Sequence, residues 1–214
     1  MDSFDECKTV TLDDGKTIEL NATELSINLI FNGNVIDSHT LGYPSAGFGG
    51  GSIHLSPTKT KLVFAYYSGQ SEEAFSIFEI GNQLKALYES EYFFGEAASY
   101  CFSPNETTFV QAIPRSCTEW WLPWEDGDIE DDELCKGYFE FCEINILDLK
   151  NLKLNNCVVR LVPDANWKPP EKAGDPFLHE KMPSEETLEI GFPWGKKVLA
   201  LPLPKVVIYE LSNA

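Results

Sequence analysis

The sequence predicts an all-β protein made of about four antiparallel sheet units that follow one another along the chain. A Ser-Pro turn followed by an apolar strand occurs at Ser56 and again at Ser103, 47 residues later. An apolar strand with an acidic residue before its last apolar position occurs three times, around Glu79, Asp148 and Glu210. Helical periodicity is weak, while 13 prolines and 15 glycines separate short apolar runs. Short strands with this punctuation are typical of all-β folds.

The repeat is clearest where Leu55–Ala65 aligns with Phe102–Ala112. Each copy has an apolar residue, a Ser-Pro turn, a polar tip and an apolar strand. Proline presets φ for the turn, and short polar residues tolerate its tight backbone. Phe192–Ala200 is a third copy by this pattern, and Leu12–Ile18 is a degenerate one.

The spacing within the copies predicts the domain organisation. The acidic residue follows the turn proline by 22 residues after Pro57 and by 44 after Pro104, so the second copy carries about 22 extra residues. We expect a single domain whose approximate units are 1–45, 46–95, 96–160 and 161–214, with the inserted loop at 114–137. The alternative is a two-sheet β-sandwich in which the turns coincide by chance.

These copies resemble the turn and strand of WD40-like propeller blades, most closely the TolB-type version, Ser-Pro-Asp-Gly-Lys followed by an apolar strand. Phe192–Val198 keeps the Pro, Gly and Lys of that pattern, and Ile146–Leu149 resembles the strand that closes a blade. The sequence departs from the pattern because it has no Trp-Asp dipeptide and no Gly-His pair. The resemblance implies a small propeller-like array of about four antiparallel blades, closed, open or half of a dimer. It implies no activity, because propellers carry many functions.

Charge excludes two classes of partner. The chain of 214 residues has a net charge of −18 and a sequence pI of about 4.4. Phosphate backbones and anionic membrane surfaces attract lysine and arginine, so we expect neither nucleic acid nor membrane as a partner. The first seven residues are acidic where a signal peptide would be basic, and no run of about 18 apolar residues occurs. These features predict a cytoplasmic protein.

The cysteines predict no metal site. In a reducing compartment they are expected to be buried thiols, whereas an exported chain would allow disulfides in any of 15 pairings. No Cys-x-x-Cys spacing occurs and the histidines lie far from the cysteines, so no zinc site and no cofactor are predicted. The six cysteines are Cys7, Cys101, Cys117, Cys135, Cys142 and Cys157.

The inserted segment is the candidate partner-binding site. It combines tryptophans, which bury a large area at little entropic cost, with acids that attract a basic partner. The candidate residues are Trp120, Trp121, Trp124, Glu125, Asp126, Asp128, Glu130, Asp131, Asp132 and Glu133. The alternative is that the tryptophans cover the core of their own unit and the acids only hydrate the loop. Alternating acids suggest calcium, but Gly127 comes too early for a calcium-binding loop.

Three other stretches have structural explanations. Gly47–Ser52 lacks the ending of a phosphate-binding loop, so it is interpreted as a flexible connection that permits close backbone approach. His54 lies two residues before Ser56 and is expected to be a hydrogen-bonded structural residue. Pro163–Pro183 is rich in proline and predicts a long extended loop.

The sequence therefore favours a non-catalytic protein-interaction module that presents the acidic, Trp-rich loop to a protein with a basic surface. A narrower version is an immunity or inhibitor protein that covers a basic toxin or nuclease. The alternative is an enzyme or a small-ligand-binding protein with its site at the central mouth of the propeller, lined by acids and His54. The sequence predicts no oligomeric state.

Overall fold

The computed structural model describes the chain in nine stretches that contain strands, turns and no helix. It describes residues 9–21, 26–40, 48–68, 72–91, 93–94, 99–114, 139–163, 179–192 and 195–211. The predicted all-β class with about four antiparallel blades is confirmed, since consecutive strands form four sheets in succession. Within these stretches no helix is long and apolar enough to span a membrane.

The first compact unit, Met1–Gly95, contains two sheets, each a simple antiparallel meander. Sheet 1 consists of β1 (Thr9–Thr11), β2 (Thr17–Asn21), β3 (Ser26–Phe31) and β4 (Asn34–Thr40). Sheet 2 consists of β5 (Phe48–Leu55), β6 (Lys61–Ser68), β7 (Glu72–Ile80) and β8 (Leu84–Glu89), with β9 (Phe93–Phe94) also paired to β7.

The second compact unit, Glu96–Ala214, also contains two sheets, but their strands do not follow a simple meander. Sheet 3 contains β10 (Ser99–Phe102), β11 (Thr108–Pro114), β12 (Phe139–Asp148) and β13 (Lys153–Pro163). Sheet 4 contains β14 (His179–Ser184), β15 (Thr187–Phe192) and β16 (Gly195–Ala200). The last strand, β17 (Val206–Leu211), returns to sheet 3 and pairs parallel with β13.

The Ser-Pro repeat is a repeat of hydrogen bonds. In sheet 2 the N–H of Ser56 donates to the carbonyl of Lys61, and its Oγ accepts the N–H of Lys61. In sheet 3 Ser103 makes the same two bonds with Thr108. Both serines are buried, so each hydroxyl satisfies backbone donors that the tight turn would otherwise leave unpaired.

Sheets 1 and 4 use related turns. Gly15 has a φ of +82° at the position where Lys59 and Glu106 have a φ of +56° and +55°. In sheet 4 the equivalent turn lies at Ser184–Thr187, because Leu201 donates to the carbonyl of Glu186 there as Ile80 does to Thr60. The third sequence copy, 192–200, instead spans the end of β15 and β16, so its match to the Ser-Pro turn is a coincidence of composition.

Each unit has its own core. In unit 1 the cluster joins sheets 1 and 2 through fully buried residues that include Ile18, Leu29, Leu62 and Phe64. In unit 2 it joins sheets 3 and 4 through Val110, Ile144, Leu188 and Ile190, with Val207 of β17. Burying each such side chain contributes about 1.5–3 kcal/mol. Buried and exposed residues alternate along the strands, and this alternation determines which face of each sheet packs against the other sheet of the same unit.

The β3–β4 hairpin turns at Asn32-Gly33, and both residues have positive φ, as the type I′ turn that Asn-Gly prefers requires. Two local expectations are wrong. The flexible connection expected at Gly47–Ser52 is wrong, because 48–52 lies within β5. The long loop expected at Pro163–Pro183 is wrong at both ends, since β13 includes Pro163 and β14 begins at His179.

Candidate functional site

The predicted partner-binding residues, Trp120 to Glu133, lie outside the described residues, but the structure shows where their segment is attached. It leaves sheet 3 at the end of β11 and re-enters at the start of β12. These strands are neighbours, paired without interruption from Thr108 opposite Asp148 to Pro114 opposite Cys142. The two ends of the segment are therefore held side by side on the middle of a five-stranded sheet.

Sheet 2 has the same hairpin without the insertion. There β6 and β7 end their pairing at Tyr67 opposite Glu73, which corresponds to Pro114 opposite Cys142. Five residues, 68–72, connect the last pair in sheet 2, whereas 27 residues, 115–141, connect it in sheet 3. The excess is 22 residues, so the segment is an addition to a hairpin that folds without it in the neighbouring copy.

The base of this hairpin is rigid. Ala112, Ile113, Cys142 and Ile144 are all at most 2% exposed. Ala112, Cys142 and Ile144 belong to the core of unit 2. A recognition loop placed on such a base loses little additional conformational entropy at its ends when it binds.

A buried amide pair lies in the same two strands. Asn145 Nδ2 donates to Gln111 Oε1 at 3.0 Å. Gln111 Nε2 and Asn145 Oδ1 are buried and have no hydrogen-bond partner. In sheet 2 the position of Gln111 is occupied by Phe64 and that of Asn145 by Ser76, so the fold does not require this pair. The sequence analysis missed this pair, although its alignment of the two repeat copies already matches Gln111 with Phe64.

A serine and a histidine are hydrogen-bonded on β5. Ser52 Oγ lies 2.7 Å from His54 Nε2, since residues two apart on a strand point to the same face. The surrounding protein partly removes the ring from water, and this desolvation lowers the pKa of His54 below its usual 6.5. A neutral imidazole facing a hydroxyl can accept its proton. The sequence analysis considered Ser56 beside His54, whereas the structure pairs His54 with Ser52.

Gly51 explains how β5 lies so close to β6. A Cβ atom at this position would lie 2.8 Å from the carbonyl oxygen of Ala65 and 2.8 Å from the ring of Phe64. Real Cβ atoms do not approach backbone oxygens this closely, so only glycine fits. The close backbone approach expected for this glycine-rich stretch is therefore present at Gly51.

Neighbouring turns are tied together by charged groups. In unit 1 Lys59 forms an ion pair with Asp13, and Lys16 Nζ donates to the carbonyl of Gly81 at 3.1 Å. These groups border a hollow of about 450 Å³, but both lysines are engaged with partners. The hollow therefore offers no free cation for an anionic ligand.

In unit 2 the carboxylate of Glu185 joins sheet 4 to the Ser103 turn of sheet 3. It accepts the N–H of Asn105 at 2.6 Å and the hydroxyl of Thr107 at 2.7 Å. Desolvation acts to raise the pKa of Glu185, but these hydrogen bonds outweigh it and hold that pKa below the usual 4.5. No sequence pattern links positions 105 and 185.

Three cysteines lie within the described residues. None of the three, Cys101, Cys142 and Cys157, is part of a disulfide. Burial raises the pKa of the Cys157 thiol, against a smaller opposing effect of the Val207 backbone. Cys157 is therefore kept in the protonated thiol form, which is a poor nucleophile.

The described stretches contain no group of three or more His, Cys, Asp or Glu side chains placed to hold a metal ion. The alternating acids Asp126, Asp128 and Glu130 lie outside those stretches.

Comparison with known proteins gives distant structural likenesses only. No family model matches the chain, and none of the curated proteins compared matches it. Among solved structures, KlHsv2 with loop 6CD replaced by a Gly-Ser linker matches at 10% identity and TM-score 0.44, over 86% of this chain and 48% of that one. The WD40 domain of SCAP from fission yeast matches at 11% identity and TM-score 0.42, over 86% and 44%.

A third likeness is to the periplasmic gluconolactonase PpgL of Pseudomonas aeruginosa, at 14% identity and TM-score 0.39, over 69% of this chain and 37% of that one. All three are β-propeller proteins. The chain spans less than half the length of each. At this degree of similarity neither a family nor an activity is identified.

Proposed function

We propose that the chain is a protein-binding module whose recognition surface is the Trp-rich, acidic segment between β11 and β12. The observation that carries this proposal is the register of these strands. It pins both ends of an added segment to two adjacent, buried strands and leaves the underlying hairpin equivalent to the one in sheet 2. A segment attached in this way can be specialised for recognition because the sheet does not depend on it.

The composition of the segment defines the partner. Trp120, Trp121 and Trp124 supply the apolar area that dominates binding energy in interfaces. The acids from Glu125 to Glu133 add to a net charge of −18 and attract a positively charged surface over a Debye length of about 8–10 Å. The partner is therefore a protein with a basic, partly apolar surface. An immunity or inhibitor protein directed at a basic toxin or nuclease is the narrower form of this proposal.

The experiment replaces the added segment of sheet 3 by the short connection of the equivalent hairpin in sheet 2. A variant in which residues 115–141 are replaced by Ser-Gly-Gln-Ser-Glu, the sequence of 68–72, should keep the fold and lose the recognition surface. A second variant replaces the three tryptophans by alanine. A third replaces the acids of 125–133 by their amides. Circular dichroism and thermal unfolding first establish that each variant folds.

Proteins captured from native lysate by the wild-type chain are then purified and their binding constants measured. The hairpin variant should not bind, and the tryptophan variant should bind at least about 30-fold more weakly, as expected for hot-spot residues. The amide variant should associate more slowly, and its association rate should depend less on salt, because its net charge falls from −18 to −11. If the hairpin variant binds the same partner equally well, the segment is not the recognition surface. If the tryptophan variant does not fold, the rings belong to the core.

The Ser52–His54 pair favours the alternative, an enzyme acting by nucleophilic attack. Its hydroxyl lies within hydrogen-bond distance of a neutral imidazole nitrogen, as such catalysis requires. A fluorophosphonate probe tests this directly, because it labels activated serines covalently. Labelling of the wild type that is absent from Ser52→Ala and His54→Gln variants would establish the alternative. Absence of labelling in the wild type would leave the pair as a structural hydrogen bond.

A further inference from the structure

Half of β13 has a strand on one side only. β12 pairs with β13 from Lys153 onwards, whereas β17 pairs with it only from Val158 to Pro163. Among the described residues, no strand lies along the outer edge of 153–157. Five residues of an extended strand cover about 17 Å, enough for a short peptide segment.

A cavity of about 930 Å³ adjoins this free edge. One wall is formed by β13 and the other by the connection from β16 to β17, residues 201–205. Ile146, Leu201 and Leu203 also line the cavity, and all three pack partly buried against the core of unit 2. The cavity is therefore apolar on the side that faces the core, and its size is in the range of ligand sites in proteins.

The backbone along the cavity faces outward in a regular way. The N–H of Val158 donates to the carbonyl of Lys205 at 2.9 Å, so position 158 directs its backbone groups away from β12. Backbone groups alternate in direction along a strand, so Leu154 and Asn156 direct theirs to the same side. These two residues present donors and acceptors to a strand placed in line with β17.

Charge defines the ends of this edge. Lys153 lies at its beginning, and Lys205 lies opposite its other end, where β17 starts. Both lysines are exposed and both border the cavity. Glu185 and Glu186 border it as well, on the side of sheet 4. The carboxylate of Glu185 is engaged with Asn105 and Thr107, and Glu186 is exposed. In a chain of net charge −18, two exposed lysines at the two ends of one strand edge are a local exception.

We propose that this edge of β13 binds an extended peptide segment of another protein, in which a short apolar run lies between two acidic residues. The peptide adds as a strand beside 153–157. Its central side chain enters the cavity toward Ile146, Leu201 and Leu203, and its acidic residues meet Lys153 and Lys205. Addition of a strand to an exposed edge gives affinity through the backbone and specificity through alternate side chains. This site is separate from the segment proposed above to bind a basic protein.

The probe is a fluorescein-labelled peptide, Gly-Glu-Val-Leu-Val-Glu-Gly, whose binding is followed by fluorescence anisotropy. The matched control peptide has lysine in place of both glutamates and should bind about five- to tenfold more weakly, as two surface ion pairs predict. The double variant Lys153→Glu, Lys205→Glu should reverse this preference. The control variant Lys150→Glu changes a nearby turn residue that does not border the cavity, and it should leave binding within about twofold of the wild type.

Strand addition is tested by a proline. Asn156→Pro removes a backbone N–H on the open side of β13 and should reduce binding at least about tenfold. Asn156→Ala keeps that N–H and loses only the side chain that donates to Glu143, so it should bind the peptide more tightly than Asn156→Pro. Hydrogen exchange on the wild-type chain gives a second readout that needs no variant. On saturation with the glutamate peptide, the amides of Leu154 and Asn156 should become protected, while those of Asn155 and Cys157, already paired with β12, should not change.

Three results would overturn the proposal. The first is equal binding of both peptides, or no binding at millimolar concentration. The second is binding without protection of the Leu154 and Asn156 amides, since the peptide would then lie elsewhere. Concentration-dependent dimerisation that protects the same two amides without any peptide would also overturn it, because the edge would then be occupied by a second copy of this chain.

Discussion

Asn145 and Gln111 share a single hydrogen bond across β11 and β12, at 3.0 Å, and each keeps one buried amide atom unpaired. Each buried polar group without a partner costs about 1–3 kcal/mol. Sheet 2 avoids this cost, because Phe64 and Ser76 occupy the equivalent positions there. The pair is thus a local instability in the two strands that carry the inserted segment, three positions before their last pair, Pro114 opposite Cys142.

We predict that the pair is less stable than apolar side chains of similar shape. The double variant Gln111→Met, Asn145→Leu should have a free energy of unfolding equal to that of the wild type or higher. The single variant Asn145→Leu should be destabilised by about 1–3 kcal/mol, because it leaves the Gln111 amide with no partner at all. Denaturant unfolding of the wild type, both single variants and the double variant measures the coupling between the residues. Additive effects would contradict this account.

Glu185 predicts a dependence of stability on pH. Its pKa is lower in the folded protein than the usual 4.5, so its contribution is complete above about pH 4.5 and is lost as pH falls through the lowered value. Glu185→Gln should cost about 1 kcal/mol at neutral pH, since the carboxylate is partly exposed to water. The difference from the wild type should shrink at acidic pH. Thermal unfolding between pH 3 and 7 measures it, and a difference that does not change with pH would contradict the assignment.

The repeat explains how much of this fold the sequence could predict. Ser56 and Ser103 mark equivalent turns because in both the buried serine hydroxyl accepts the backbone N–H at the end of the turn, so composition and geometry coincide. The copy at Phe192 misled because Pro, Gly and Lys also occur between other strands. The parallel return of β17 to β13 follows no local pattern, since paired residues such as Val158 and Val206 lie 48 positions apart in the sequence.

The candidate sites divide in the same way. The Trp-rich segment is visible in the sequence as an excess of 22 residues over the repeat. The contact of Glu185 with Asn105 joins residues 80 positions apart, and the cavity beside β13 is closed by residues 201–205. Only the three-dimensional packing of sheets 3 and 4 brings these groups together, so no spacing along the chain predicts these contacts.

We predict that replacing Gly51 by alanine destabilises the protein. Gly51→Ala would place a methyl group 2.8 Å from the carbonyl oxygen of Ala65, a backbone atom that cannot move aside without disturbing β6. Overpacking of this kind costs about 1–3 kcal/mol. Gly81→Ala is the matched control, because its new Cβ would lie 3.8 Å from the nearest atom, the carbonyl oxygen of Gln83. Equal unfolding free energies for the two variants would contradict the packing described for β5.

His54 predicts a second, separate dependence on pH. Partial desolvation by the surrounding protein lowers the folded pKa of His54 below the usual 6.5, although the side chain is exposed at the surface, so the unfolded chain takes up a proton first as the pH falls. The stability that neutral His54 allows is therefore complete above about pH 6.5 and declines as pH falls toward the lowered value. The ring C–H resonances of His54, assigned with a His54→Gln variant, should titrate below 6.5. In Ser52→Ala the midpoint should rise, because a hydroxyl that donates to the neutral ring is lost, but it should stay below 6.5 because the desolvation of the ring remains. A midpoint at or above 6.5 in the wild type would show that the ring is not desolvated, and would remove the support for its role as a base.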